Sequence, residues 1–353
     1  MGLGKKSRST PCIFAKKYIP LHQVKGISQM RTIRVFEAFA GYGSQMMALK
    51  RLERDFPAIS FESVGISEID KNPINAYMAV HGETKNYGDI SKIDWKDVPD
   101  FDLLTYSFPC TSISMAGLRE GFTEGSGTAS SLLWECRRTI KEKKPKYLLM
   151  ENVKPIVNAT NMPNFQKWLD FLTEMGYTNH WKILNAKDYG IPQHRERCFC
   201  VSILNETKPF EFPKPFELKY CIKDFLDNPL DESSWYNEKY LHNLHWYEKR
   251  DYPKGSLMKV GNCFKSDYAT GIIYDANGII CTIMENHGTG TLINIDGRIK
   301  KATASEQLRF MGVSEDDIQK IQSVCKRSAC RKLAGNSIVV DVLYYIFKSM
   351  FID

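Results

Sequence analysis

An α/β fold, with a parallel sheet and a second, smaller and less regular domain, is what this sequence predicts, and three observations predict it. From Ile33 to about Leu204, short apolar runs of strand length alternate with segments of helical periodicity, the pattern of βαβ units. After residue 205 that pattern breaks, and Pro209, Pro213, Pro215, Pro229 and Pro253 punctuate an aromatic-rich stretch of irregular spacing. The ending IVVDVLYYIFKSMF is apolar and of helix length; it needs a core to cover it, and the sheet is the one available. The expected division is a basic arm over 1–32, a main domain over 33–204 with 326–353, and the irregular domain over 205–325.

Within the main domain, IRVFEAF (33–39) reads as the first strand, followed by a glycine turn and the amphipathic helix SQMMALKRLERDF (44–56). FESVGISEI (61–69) is the second strand, with a helix beginning after Pro73. FDLLTYSF (101–108), YLLMEN (147–152), HWKILNA (180–186) and RCFCVSIL (197–204) are the remaining strand candidates, with helices around 129–142 and 163–175 between some of them.

Composition sets the outer limits. The chain has 353 residues, long enough to bury a large core, and 43% hydrophobic and 25% charged residues, as in ordinary soluble proteins. No apolar run approaches the roughly 20 residues that span a bilayer. The basic N-terminus is followed by no apolar segment, and Lys6 stands where a myristoylation signal needs Ser or Thr. An intracellular protein with reduced thiols is expected. The ten cysteines include no CxxC and no spacing suited to zinc, while His242 and His245 read as surface or packing groups, so no metal is expected. The net charge is +7, yet residues 1–34 hold eight basic residues and no acid. A basic arm suits phosphate contacts with nucleic acid, and a solubilising tail explains it equally well.

Several motifs fall just past strand ends, where ligands sit in open α/β sheets. FAGYGS (39–44) is a glycine turn through which a cofactor can approach the backbone, although Met46 replaces the third glycine of a pyrophosphate-binding fingerprint. By itself a tight turn accounts for it nearly as well. Glu68, in SEID about 25 residues on, is placed to accept from ribose hydroxyls, and Asp89 in YGDI to receive an adenine amino group. SFPCTS (107–112) offers Cys110 as a nucleophile, although a buried structural cysteine is the commoner case. Glu151 in MENV can serve as an acid if burial raises its pKa, and Arg195 and Arg197 in QHRERCFCVS can hold a carbonyl oxygen, a phosphate or a carboxylate.

Taken in order, FAGYGS, SEID, GDI, FPC, ENV and QHRER resemble the DNA (cytosine-5)-methyltransferase family, and KATASEQLRFMG (301–312) and AGNSIVVDVLYYI (334–346) continue the resemblance. It covers nearly everything from Ile33 onward except residues 205–280. The resemblance implies a Rossmann-like sheet binding S-adenosylmethionine, a target-recognition domain, and methylation of a flipped-out cytosine in a specific duplex sequence. It assigns Cys110 to attack on C6, Glu151 to N3 and the exocyclic amine, and Arg195 and Arg197 to O2. Around the cofactor it places Phe39, Gly41, Gly43, Glu68, Ile69, Asp89, Ile90, Pro109, Leu132, Asn336 and Ser337. It gives Ser112 and Thr282 to the DNA side, residues 111–127 to a closing loop, and 205–300 to sequence readout.

Three departures stand out: TASSLL lacks a frequent arginine before Leu132, Ser44 replaces a frequent glycine, and Thr111 follows Cys110 where Gln is common. None removes a catalytic group, so full activity is expected. A monomer acting on double-stranded DNA in a bacterial or phage-infected cytoplasm follows from the resemblance, with a cognate restriction endonuclease as a candidate partner. The alternatives are a tRNA cytosine-5 methyltransferase on the same fold, towards which NCFKS (262–266) points weakly, a non-catalytic binding module, and a nicotinamide oxidoreductase.

Overall fold

Alternating side chains on the inner strands divide two apolar layers, and this sets the position of the sheet. Tyr147 and Leu149 enter one layer and Leu148 and Met150 the other, as Ile33 and Val35 separate from Phe36 and Ala38. The computed structural model describes residues 31–113, 122–237, 239, 241–265, 269–285 and 291–353. The basic arm up to residue 30, and residues 114–121 of the expected closing loop with Gly117 and Gly121, lie outside them.

In chain order the first part of the protein runs β1 (Arg31–Ala38), α1 (Ser44–Asp55), β2 (Ile59–Ser67), α2 (Lys71–His81), β3 (Leu103–Tyr106), α3 (Cys136–Lys143), β4 (Tyr147–Val153), α4 (Met162–Glu174), β5 (Tyr177–Asn185), β6 (Gln193–His194) and β7 (Glu196–Leu204). The main sheet has the order β2-β1-β3-β4-β7-β5. Strands β2, β1, β3 and β4 are parallel, and the order reverses at β1, so the ends of β1 and β3 flank a topological switch point.

The parallel sheet expected from the alternation is mixed at one side, because β7 runs antiparallel to both β4 and β5. Between β5 and β7 lie only a short 3-10 turn and β6, with no crossover helix, and parallel pairing needs such a crossover. The helix expected around 129–142 is likewise in two parts, a 3-10 stretch over Ala129–Glu135 and then α3.

The rest of the chain forms β8 (His245–Trp246), β9 (Lys259–Asn262), β10 (Ile272–Asp275), β11 (Ile280–Cys281), β12 (Leu292–Ile295) and β13 (Arg298–Lys301), then α5 (Ala304–Arg309), α6 (Glu315–Val324), α7 (Arg327–Asn336) and α8 (Val340–Phe351). A second, five-stranded sheet has the order β13-β12-β10-β9-β8, and β11 pairs with β6. Cys263, Ile273, Leu292 and Ile299 form a small core of their own on this sheet. Phe225, Ile280, Leu308 and Ile321 belong to the large core that also holds β1 and α8. Helix α8 lies on α1, fastened by Arg51 to Asp341 (2.9 Å) and Tyr344 to Asp55 (2.8 Å). None of the described helices is long and apolar enough to cross a membrane.

The start of α5 is fixed by a fully buried charge pair. Thr303 and Glu306 form a capping box, in which Thr303 Oγ1 accepts from the Glu306 amide and Glu306 Oε2 accepts from the Thr303 amide. Glu306 Oε1 also accepts from the Asp227 amide (2.9 Å) and from Lys300 Nζ, and both ionic side chains are wholly buried. Removing one partner strands the other charge away from water. Glu306→Ala is therefore expected to cost about 3–5 kcal/mol in urea unfolding; a loss under about 1 kcal/mol would show that the pair is not buried as described.

Candidate active site

The site is assembled where parallel β3 and β4 end and antiparallel β7 begins. Tyr106 pairs with Met150, so Glu151 is the next residue along β4, beside the loop that carries Cys110. Glu151 in turn pairs with Phe199 and Val153 with Arg197, which makes Glu151 and Arg197 diagonal neighbours on one face. Arg197 Nε lies 3.3 Å from Glu151 Oε1. Along this face the apolar row Tyr147, Leu149, Val201 and Phe199 gives way to the two charged residues at the strand ends.

The cysteine loop is held from below. Asn152 Nδ2 donates to the Phe108 carbonyl (3.0 Å). Ser130 Oγ donates to the Pro109 carbonyl (2.6 Å) and accepts from the Ser112 amide (3.2 Å), bracketing Cys110 on both sides. The Ile113 amide closes the turn on the Cys110 carbonyl (2.9 Å). Ser112, expected on the DNA side, is instead 5% exposed and braces this turn. Ser130 carries no signal in the sequence, because TASSLL shows neither periodicity nor a charged group to mark it.

The two arginines of QHRER divide their work. Arg197 is half-buried; besides Glu151 its guanidinium donates from Nη1 to the Glu196 carbonyl (2.8 Å), and its Nη2 has no bond to a described residue. Arg195 is placed differently from the expectation that both hold the base carbonyl. It is 3% exposed, with Nη1 donating to the Ile283 carbonyl (2.8 Å) and Nη2 to those of Gly335 (2.9 Å) and Ser337 (2.6 Å). A planar fork suits several carbonyls at once, and here it joins β6–β7, the segment after β11 and the end of α7. Gln193 acts beside it, donating to the Phe310 carbonyl (2.8 Å) and accepting from the Ile283 amide (3.0 Å). Thr282 donates to the His194 carbonyl (2.8 Å). Asn152 and Gln193 both lay inside motifs quoted from the sequence, but nothing there told clamp from catalyst.

Burial pushes the Cys110 thiol up, the Glu151 charge adds to this, and Arg197 and Arg195 oppose it. Burial also raises Glu151, against the lowering effects of Arg197, Arg195 and a hydrogen bond with Ser107. The resting site therefore favours a thiol over a thiolate, and a Glu151 more ready than usual to carry a proton. Among the described residues no three His, Cys, Asp or Glu converge as a metal set.

On the neighbouring strand ends the FAGYGS turn and Glu68 face each other. Phe39 has φ +56° and Gly41 φ +58°, and a side chain built on Gly41 would meet nothing within 4 Å. That open space beside a bare backbone is what a close-lying cofactor needs. At Gly43 a Cβ would lie 2.3 Å from His81 Nε2, so the glycine also lets α2 pack under the turn. Glu68 Oε2 accepts from the Gly41 amide (2.9 Å), and Oε1 from the amides of Ile69 (2.8 Å) and Asp70 (3.0 Å). A carboxylate has about four lone-pair positions, so one remains for a ribose hydroxyl without rearrangement.

Ile69 is 71% exposed, an apolar surface with room for a ring. Asp89 caps the following turn through Ser91 and lies 3.2 Å from Lys92, contacts that hold its carboxyl below the usual range, and Ile90 is buried. Pro109 and Leu132 are half-buried, and Asn336 is exposed at the end of α7. Ser337 is buried, its hydroxyl against those of Tyr42 and Ser44. An adenosine-bearing cofactor fits this rim, with an open glycine, an anchored carboxylate and an uncovered apolar side chain.

This fold and rim suit a cofactor-dependent enzyme, and comparison with known proteins gives its family. The profile of the C-5 cytosine-specific DNA methylase family matches residues 33–352. Type II methyltransferase M2.ScrFI of Lactococcus lactis subsp. cremoris is 37% identical over 374 residues, covering 90% of this chain and 99% of the relative. Type II methyltransferase M.HhaI of Haemophilus parahaemolyticus is 33% identical over 327 residues, covering 90% and 94%. The fold is shared with a Dnmt2 methyltransferase of S. pombe (TM-score 0.66, 21% identity, 90% of this chain and 97% of the other) and with Entamoeba histolytica EhMeth (0.70, 18%, 91% and 98%). The chain belongs to the C-5 cytosine-specific DNA methylase family. It is a DNA (cytosine-5)-methyltransferase, and its methyl donor is S-adenosylmethionine.

The charges around Cys110 give a direct check. Iodoacetamide alkylation of Cys110 in the free enzyme, followed by peptide mass spectrometry, should show a pH midpoint above the ordinary cysteine value of about 8.5. Glu151→Gln removes a charge that raises the thiol and should move the midpoint down, while Arg197→Gln should move it up. Identical midpoints in all three proteins would mean that these groups are not close enough to interact.

Proposed function

We propose that this enzyme methylates C5 of a cytosine turned out of a specific site in duplex DNA, through a transient bond between Cys110 Sγ and C6. The observation that carries the reading is the meeting of Cys110, Glu151 and Arg197 at one edge of the sheet, next to the open turn at Gly41. Cytosine C5 is a weak nucleophile. Addition of the Cys110 thiolate to C6 moves the ring electrons towards C5 and N3, and a proton from Glu151 at N3 stabilises them. S-adenosylmethionine, held by Phe39, Gly41, Glu68, Ile69, Asp89 and Asn336, supplies the methyl group as a sulfonium electrophile. Loss of the C5 proton to water then expels the Cys110 thiolate by β-elimination, N3 returns its proton to Glu151, and the aromatic ring is restored.

Protonation of Glu151 also removes the charge that raises the thiol, so one proton placed there favours the thiolate on Cys110. Arg197 has Nη2 to offer to O2 of the base. Arg195 is a positioning residue in this scheme, keeping the Ile283 and Ser337 segments against β7. Turning the base out costs a few kcal/mol, which phosphate contacts must offset. Residues 205–300, with the second sheet, are assigned to readout of the sequence in the major groove. The similarity to bacterial type II methyltransferases supports a bacterial or phage-infected cytoplasm and pairing with an endonuclease of the same specificity, and the enzyme is assigned as a monomer.

The test is transfer of labelled methyl groups to duplex DNA, with positions located by bisulfite sequencing. Cys110→Ala should abolish transfer while duplex binding persists, and Glu151→Gln should slow it by about 10²–10⁴-fold. Turnover by Cys110→Ala at the parent rate would contradict the covalent route.

A further inference from the structure

Away from the cysteine site, a cavity of about 210 Å³ opens between the second sheet and the start of α7. Its floor is set by local pairing: Trp235 bridges to Lys300, and the Tyr236 amide donates to the Ile299 carbonyl (2.8 Å), pinning both aromatics to β13. Lys301 follows on that strand. Arg327 and Arg331, four residues apart on α7, lie on one side of the helix and line the opposite wall. Nothing in the reading of the active site uses these residues.

Three cations and one carboxylate line the cavity. Among the described residues, neither Lys301 nor Arg331 has a hydrogen bond or ion pair with a carboxylate. Asp231, the lining carboxylate, is already engaged: Oδ1 accepts from the Ser233 amide (2.9 Å) and hydroxyl (2.7 Å), and Oδ2 lies 3.3 Å from Arg327. Lys301 is pushed down by burial and by the like charge of Arg331, so the two cations oppose each other across the space. Arg298, 3.9 Å over the Trp235 ring, adds to the positive field. The first turn of α7 also opens here without a side-chain cap, presenting its amide groups and the positive end of the helix.

What such a cavity lacks is a compact group with several acceptor oxygens and a negative charge. We propose that it is a seat for a phosphate-class oxoanion, held by Lys301, Arg327 and Arg331. Two sources share that chemistry, a backbone phosphate of the bound DNA and free inorganic phosphate. Occupation would tie the second sheet to α7, whose far end carries Asn336 and Ser337.

Two measurements on the full chain decide it. In the first, inorganic phosphate is compared with chloride at matched ionic strength in thermal unfolding of the DNA-free protein; a ligand bound only by the folded state raises Tm. In the second, duplex affinity is followed against salt, where each phosphate contact contributes about 0.9 to the slope of log K against log salt. If a DNA phosphate occupies the seat, Lys301→Gln and Arg331→Gln each lower that slope by about one unit, and Arg331→Lys largely restores it. If free phosphate occupies it, the slope stays unchanged and the phosphate-dependent rise in Tm is lost in both Gln variants. Should Arg331→Gln fail to fold, Lys301→Gln and Arg331→Lys carry both readouts. No phosphate effect beyond chloride, together with an unchanged slope in folded variants, overturns the proposal.

Discussion

Glu151, buried, and Arg197, half-buried, lie side by side at the ends of two antiparallel strands, and the chemistry of the site follows from that constraint. A carboxyl group at this depth holds its proton more tightly than usual, and a guanidinium beside it pulls the other way. Cys110 feels both, with opposite signs. The resting enzyme therefore keeps Cys110 as a thiol, and shifting one proton can expose the thiolate. Such a balance is possible because the strand pairing leaves Arg197 about 3.3 Å from Glu151, a contact that a solvated pair would trade for water.

Arg195 does for the backbone what Arg197 does for the charges. Its three carbonyl partners come from segments far apart in the chain, and with Gln193 they fix the piece after β11 and the end of α7 against β6 and β7. Gly335 completes the join, because a Cβ there would lie 2.3 Å from the Glu285 amide nitrogen. The cysteine edge and the glycine turn are thus held in one frame, through Ser337 against Tyr42 and Ser44. A single buried hub of this kind transmits strain, so a change at Arg195 should be felt on both sides of the cleft.

Much of this could be seen in the order of residues. Strand-length apolar runs alternating with helical ones foretold the α/β sheet, and the motifs fell at strand ends, where the topology brings Cys110, Glu151 and Glu68 to one edge. The direction of β7 could not be seen, because a strand reads alike in either direction; only the short link from β5, too brief for a crossover, hinted at it. Gly43 shares a turn with Gly41, and its missing side chain also makes room for His81, a partner nearly forty residues on. Arg195 and Arg197 looked equivalent because spacing does not reveal which carbonyls lie within reach. Ser130 donates to one backbone carbonyl and accepts from the amide of Ser112, bonds that leave no pattern in a sequence.

The central claim is that Cys110 bonds to the base while Glu151 and Arg197 hold it. It is tested most directly by reacting the enzyme with S-adenosylmethionine and a duplex carrying 5-fluorocytosine at the target, and solving the crystal structure of the trapped complex that results. Because fluorine cannot leave C5 as a proton does, the account predicts continuous density from Cys110 Sγ to C6 of an extrahelical base, with Glu151 at N3 and Arg197 at O2. A base held outside the helix with Cys110 unbonded and turned away, in a complex that has already transferred its methyl group, would contradict it.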